Sequence, residues 1–130
     1  MIDWSQVSRL ADFLYEPSEN ITEACNIALF CVKYVNNKLM RDRPYAKFAS
    51  IDDVLNVAEY YGLWGHSNKR ETLQRAVREL YQLGILYRCG HGQYYHPDTQ
   101  FGRWKNPQKQ FVENKRSWGW RNQVPTTGGY

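Results

Sequence analysis

Between residues 68 and 82 an apolar series, Leu73, Ala76, Val77 and Leu80, is interleaved with Asn68, Lys69, Arg70, Glu71, Thr72, Gln74, Arg75, Arg78 and Gln82. Intervals of three and four residues predict one buried face of an α-helix. At about 100° per residue, Glu71, Arg75, Arg78 and Gln82 point furthest from that face and Gln74 sits to one side. Asn68, Lys69, Arg70 and Thr72 fall near the N-terminal end. Arg, Gln and Asn can make two hydrogen bonds at once to a guanine or adenine edge. Lys69 and Arg70, at the helix start, are placed to pair with phosphates, an arrangement the helix dipole favours. The same face also reads as a solvated surface, because Glu71–Arg75 and Arg75–Glu79 are i,i+4 ion pairs. Such pairs contribute only about 0.2–0.5 kcal/mol each, so they yield readily to a phosphate or a base.

Further along, Gly90-His91-Gly92 separates two β-type runs, 85–89 and 93–96, the pattern of a tight hairpin. On it, Arg88, His91 and Gln93 are candidates for the sugar-phosphate backbone or the minor groove, although His91 taken alone is better read as an exposed turn residue. From Pro97 onward apolar periodicity stops. Arg103, Lys105, Lys109, Lys115 and Arg116 are there interleaved with Trp104, Phe111, Trp118 and Trp120. Such a segment can track phosphates while its rings stack on bases or wedge into a groove. It can equally fold back on the domain or plug into a partner protein.

Other chemistries find little support. His66, Cys89, His91 and His96 match no standard metal-site spacing, so no metal is expected. There is no Gly-rich phosphate loop, no Ser/His/Asp arrangement and no Glu-x-x-His motif. The carboxylates cluster at helix starts, where capping accounts for them. No catalysis and no cofactor are expected. His96-Pro97-Asp98 is read as a strand end and a turn.

The elements that must carry the Arg/Gln face are legible from caps and periodicity. Trp4, Val7, Leu10, Ala11 and Leu14 follow Asp3 at helical spacing, and Pro17 ends that helix by Glu16 or sooner. Asn20-Ile21-Thr22-Glu23 reads as a capping box opening a long helix. Its buried stripe is Ile21, Ala24, Cys25, Ala28, Cys31, Val32, Val35 and Leu39. Cys25 and Cys31, six residues apart on it, point in different directions and are read as core thiols. A charged turn (Arg41-Asp42-Arg43-Pro44) leads to a short extended run at 45–49. Ser50-Ile51-Asp52-Asp53 is a second capping box, with acids where the dipole favours them. Gly62 and Gly84 are left-handed caps that end the next two helices.

This order (helix, short strand, helix, helix, hairpin) resembles the winged helix-turn-helix family. The residues that carry the resemblance are Val57-Ala58-Glu59-Tyr60-Tyr61-Gly62-Leu63, then the run from Leu73 through Leu86, then the Gly90/Gly92 hairpin. Trp64-Gly65-His66-Ser67 makes the connection longer than the family's usual tight turn. The resemblance covers about residues 20–96 and implies a DNA-binding fold; with the flanking segments, the expected fold is mainly α with a small β-hairpin, an extra N-terminal helix and a basic C-terminal tail. Its recognition helix would be 68–83 and its wing 86–96. The expected organisation is an N-terminal helix over 1–16, a winged-helix domain over 20–96 and a tail over 97–130.

Composition agrees with one small domain. A chain of 130 residues is too short for a Rossmann or barrel enzyme, and 42% hydrophobic residues are too many for a disordered chain. Ten Tyr and five Trp exceed what so small a core needs, so part of them is expected on a binding surface. Charge is polarised: residues 1–66 hold six basic and nine acidic groups, residues 67–130 eleven and four, giving +7 in the second part. That favours a polyanionic partner. Together these features predict a non-enzymatic double-stranded DNA-binding protein, a small transcriptional regulator. The alternative is an adaptor or inhibitor holding a protein complex through the winged-helix surface and the Trp-rich tail. Homodimerisation through Trp4, Leu10 and Leu14 is a further expectation. The absence of a leader-like start or an apolar span, with three unpaired cysteines, points to a reducing, cytoplasmic location with no membrane partner.

Overall fold

The second helix organises the fold. A computed structural model describes residues 2–37, 47–64 and 68–105. Its elements are α1 (Trp4–Ala11), α2 (Glu23–Asn37), α3 (Ile51–Tyr60), α4 (Lys69–Gln82), β1 (Tyr87–Gly90), β2 (Gln93–Tyr95) and α5 (Gln100–Lys105). The protein is mainly helical, with a two-stranded antiparallel sheet, β1–β2. No described helix is long and apolar enough to cross a membrane.

Helix α2 packs against α3, α4, α5 and β2 and is buried on nearly every side, well beyond the stripe its periodicity predicts. Its cap is Thr22, not Asn20: the Thr22 Oγ1 accepts from the Cys25 N–H at 3.2 Å, in the N-cap to N3 pattern. Cys25 and Cys31 are free and buried, as core thiols should be, and burial pushes both thiols up. Helix α1 stops at Ala11, well before Pro17. Asp12 takes the left-handed conformation (φ 51°); its N–H reaches back to the Arg9 carbonyl and the Phe13 N–H to the Ser8 carbonyl.

Much of the aromatic content is core. Phe30 is fully buried, and the rings of Trp4, Phe13, Tyr15, Tyr34 and Tyr61 surround it with centroids 5.7–6.0 Å away. Trp4 also packs on Tyr15 at 4.9 Å. It is therefore turned into its own domain, and only Leu10 (67% exposed) and Leu14 (77%) of the proposed dimer contacts face solvent.

Two asparagines inside α2 tie irregular chain to the core. Asn26 Oδ1 accepts from the Tyr15 hydroxyl (2.7 Å) and the Ser18 N–H (3.0 Å), while Nδ2 donates to the Ser18 and Thr22 carbonyls. Ten residues on, Asn36 Nδ2 donates to the Lys47 carbonyl (2.8 Å) and Oδ1 accepts from the His96 N–H (2.8 Å). Beside it, the buried Thr99 hydroxyl donates to the His96 carbonyl (2.6 Å) and accepts from the Gly102 N–H (3.0 Å). Asn37 Oδ1 takes the Gln100 N–H at 2.7 Å. Residues 97–105, assigned to the tail by sequence, thus return to the body as a turn and the short α5. Gly102 makes this possible, since a Cβ there would strike the His96 carbonyl oxygen and the Pro97 backbone.

The Ser50 capping box forms as the sequence predicts. Asp53 N donates to Ser50 Oγ (3.2 Å) and Ser50 N to Asp53 Oδ2 (3.1 Å), with Lys47 Nζ 3.1 Å from the same oxygen. Burial alone would raise the Asp53 carboxyl, but the Ser50 N–H, the Lys47 ammonium and the Ser50 hydroxyl outweigh it and hold the pKa below the usual value.

Two outcomes are expected. Asn36→Ala leaves the half-buried Lys47 carbonyl and His96 N–H without their Asn36 partner, and should lower unfolding stability by about 1–3 kcal/mol in urea titration. Because the native Asp53 pKa lies below its unfolded value, its contribution is present above the unfolded pKa, near about 4, and is lost as pH falls through the native pKa. Asp53→Asn should therefore flatten the acid limb of a stability–pH curve, and an unchanged limb would remove Asp53 from that role.

Candidate nucleic-acid interface

Helix α4 presents its polar face because its apolar face is fully used. Leu73, Ala76, Val77 and Leu80 are buried, which leaves Glu71, Gln74, Arg75, Arg78 and Gln82 exposed, as the periodicity predicts. The helix ends at Gly84 (φ 81°), and the Ile85 and Leu86 N–H groups then bond back to the Leu80 carbonyl. Buried Leu86 anchors the start of the hairpin against the core.

In the hairpin, Tyr87 pairs with Tyr95, Arg88 with Tyr94 and Gly90 with Gln93, with an irregularity between Arg88 and Gly90. Gly92 has φ 70°, in line with the predicted tight turn. The strand expected at 45–49 reduces, among the described residues, to one bridge: Ala49 exchanges both backbone hydrogen bonds with Tyr94, at 2.8 and 2.9 Å. That bridge ties β2 to the start of α3.

Hairpin and helix face each other across a cleft of about 190 Å³. Gln74, Val77 and Arg78 of α4 line one side, Arg88, His91, Gly92 and Tyr94 the other, and Ile51 the end. None of these lining residues is acidic. The Arg88 guanidinium lies 4.9 Å from the centroid of Tyr81, whose ring meets Tyr94 edge-on at 6.1 Å. A cation over a ring at that distance is held in place by the ring's quadrupole. Tyr81 lies outside the residues that sequence spacing assigns to the site, although 74, 77, 78 and 81 follow helical spacing on one side of α4.

The remaining candidate residues are more dispersed. Arg75 Nη2 is 3.6 Å from Glu71 Oε1, the predicted i,i+4 pair. Lys69 Nζ sits 3.8 Å from Glu59 Oε2, and Arg70 pairs with Asp52, so both basic groups at the helix start are engaged by α3. Asn68 occupies the N-cap position without a side-chain capping bond, and Gln82 is exposed at the far end. Gln93 is partly buried; its carbonyl and Oε1 lie 3.7 and 3.8 Å from Cys89 Sγ, and its side chain fills the space beside Gly90. It braces the turn. Arg103 donates to the Asp98 carbonyl at 3.4 Å, and Lys105 is exposed at the end of α5. Lys109, Lys115 and Arg116 lie outside the described residues. The structure therefore gathers Gln74, Arg78, Arg88 and His91 at one cleft, with Arg75 on the exposed face beside it.

The chain matches no protein-family profile, no curated protein and no solved structure.

The Arg70–Asp52 pair is largely exposed on both sides. Arg70→Ala is expected to change unfolding stability by no more than about 1 kcal/mol. A loss well above that in a denaturant titration would make the pair a structural tie between α3 and α4 rather than a replaceable surface contact.

Proposed function

We propose that this chain binds double-stranded DNA without catalysing a reaction, as a winged-helix protein acting as a small transcriptional regulator. Helix α4 enters the major groove and the β1–β2 hairpin lies along the adjacent backbone. The observation that carries this reading is the exposed Arg/Gln face of α4 bordering a cleft, free of acidic lining residues, that Arg88 and His91 share. The element order supports it as well: helix, bridging residue, helix, helix, hairpin. Arg75, exposed and held only by a weak surface pair, is available to a base edge. The ion pairs of Lys69 and Arg70 with α3 make phosphate contact by these two an exchange of partners, with a correspondingly smaller gain.

A second reading, a protein-binding adaptor or inhibitor, draws on Leu10, Leu14 and Trp104 (72% exposed) as apolar contacts. Leu10 and Leu14 are also the remaining contacts for a homodimer.

Selection of bound oligonucleotides from a random duplex pool tests the choice. An enriched motif is expected, and Arg75→Ala should weaken binding to it while relaxing its sequence preference. Removal of residues 106–130, which takes Lys109, Lys115, Arg116 and Arg121 with it, should lower affinity and flatten the dependence of affinity on salt. No enrichment, together with salt-independent capture of one protein in fixed ratio, would favour the adaptor.

A further inference from the structure

We propose that the cleft between α4 and the hairpin is a seat for a single phosphate group, gripped by Arg78 and Arg88 together. Arg78 would then hold the nucleic-acid backbone instead of reading a base. Placing that phosphate in a duplex rests on the DNA-binding reading; the chemistry of the seat does not.

Arg78 comes from the helix and Arg88 from the hairpin, and both line one enclosure with no acidic residue among its walls. Guanidinium groups keep their charge at any working pH, so the cleft holds positive charge that its own lining does not balance. By contrast, Lys69, Arg70 and Arg75 each already face a carboxylate of the chain. Among the described residues Arg78 has no such ion-pair partner, and Arg88 has only the Tyr81 ring.

The size of the cleft narrows the ligand. About 190 Å³ is below the roughly 300–1,000 Å³ of pockets that enclose drug-sized organic ligands. The donors narrow it further. Two guanidinium forks, the Gln74 amide and the His91 ring offer more N–H groups than the two oxygens of one carboxylate can take up. A phosphate presents oxygens in several directions and can engage two forks at once. Tyr81 holds Arg88 beforehand, and the Ala49–Tyr94 bridge fixes the strand behind it. Arg88 therefore has less side-chain freedom to lose when the anion arrives.

If Arg78 and Arg88 form one clamp, they behave alike and unlike Arg75. On the selected duplex and on a scrambled one, Arg78→Ala and Arg88→Ala should each lose affinity by about tenfold equally. Each should also reduce the log–log salt slope by about 0.9. Arg75→Ala should lose affinity on the selected duplex only. An Arg78→Ala protein whose base preference changes while its salt slope does not would overturn the clamp. A second measurement needs no DNA: titration of the intact protein with inorganic phosphate, followed through the Arg Nε–Hε resonances, with sodium chloride at matched ionic strength as control. Saturable shifts at Arg78 and Arg88 beyond the control are expected, and their absence overturns the seat. Phosphate shifts without binding of any duplex would keep the seat and remove the DNA-binding reading.

Discussion

The structure depends on enclosing α2. A helix surrounded on nearly all sides leaves no water for its buried polar side chains, so each of those must find a partner in the chain or cost about 1–3 kcal/mol. Asn26 and Asn36 meet that requirement by accepting and donating to segments that have no regular structure of their own. The backbone near Ser18, the approach to α3 and the exit from β2 are each held at a defined place on the helix. Because β2 is held in this way, the hairpin stands where Arg88 faces α4. The candidate site is thus a second-order result of satisfying two buried amides.

What could be read beforehand was local. The Ser50–Asp53 box, the ends at Gly62 and Gly84 and the turn at Gly90-His91-Gly92 depend on residues within a few positions of one another, and all appear as expected. The outward face of α4 was equally legible, because one strong apolar stripe fixes the opposite side. For α2, periodicity picked out Cys25, Ala28, Cys31, Val32 and Val35 but left out the buried Ile27, Leu29 and Phe30, and it gave no sign that Asn26, Tyr34 and Asn36 were also enclosed. Tyrosines and tryptophans pack around Phe30 or face outward with the same composition, so counting them could not separate the two. Helix α5 was invisible for another reason: it is six residues long, and its hydrogen bonds reach Asn36 and Asn37 more than sixty positions away.

The same distinction runs through the site. That Arg75 and Arg78 point outward follows from helix geometry alone. Their unlike surroundings follow from the register of the hairpin, its irregularity beside Arg88 and the Tyr81 ring beneath that guanidinium. One arginine borders a carboxylate of its own helix, and the other borders a second cation across a cleft. Residue type is identical; i,i+4 spacing already gives Arg75 its Glu71 neighbour, but only tertiary placement brings Arg88 to the cleft that Arg78 lines, and sequence spacing carries no record of that.

The glycines differ in what they permit over evolutionary time. At Gly62 and Gly84 the surrounding space is open and the demand is only a positive φ, which asparagine also tolerates, so descendants can exchange one for the other with little penalty. At Gly102 the obstacle is main chain, which no neighbouring substitution can trim away. Mutational drift is therefore barred at that codon unless the whole closing helix is abandoned along with it.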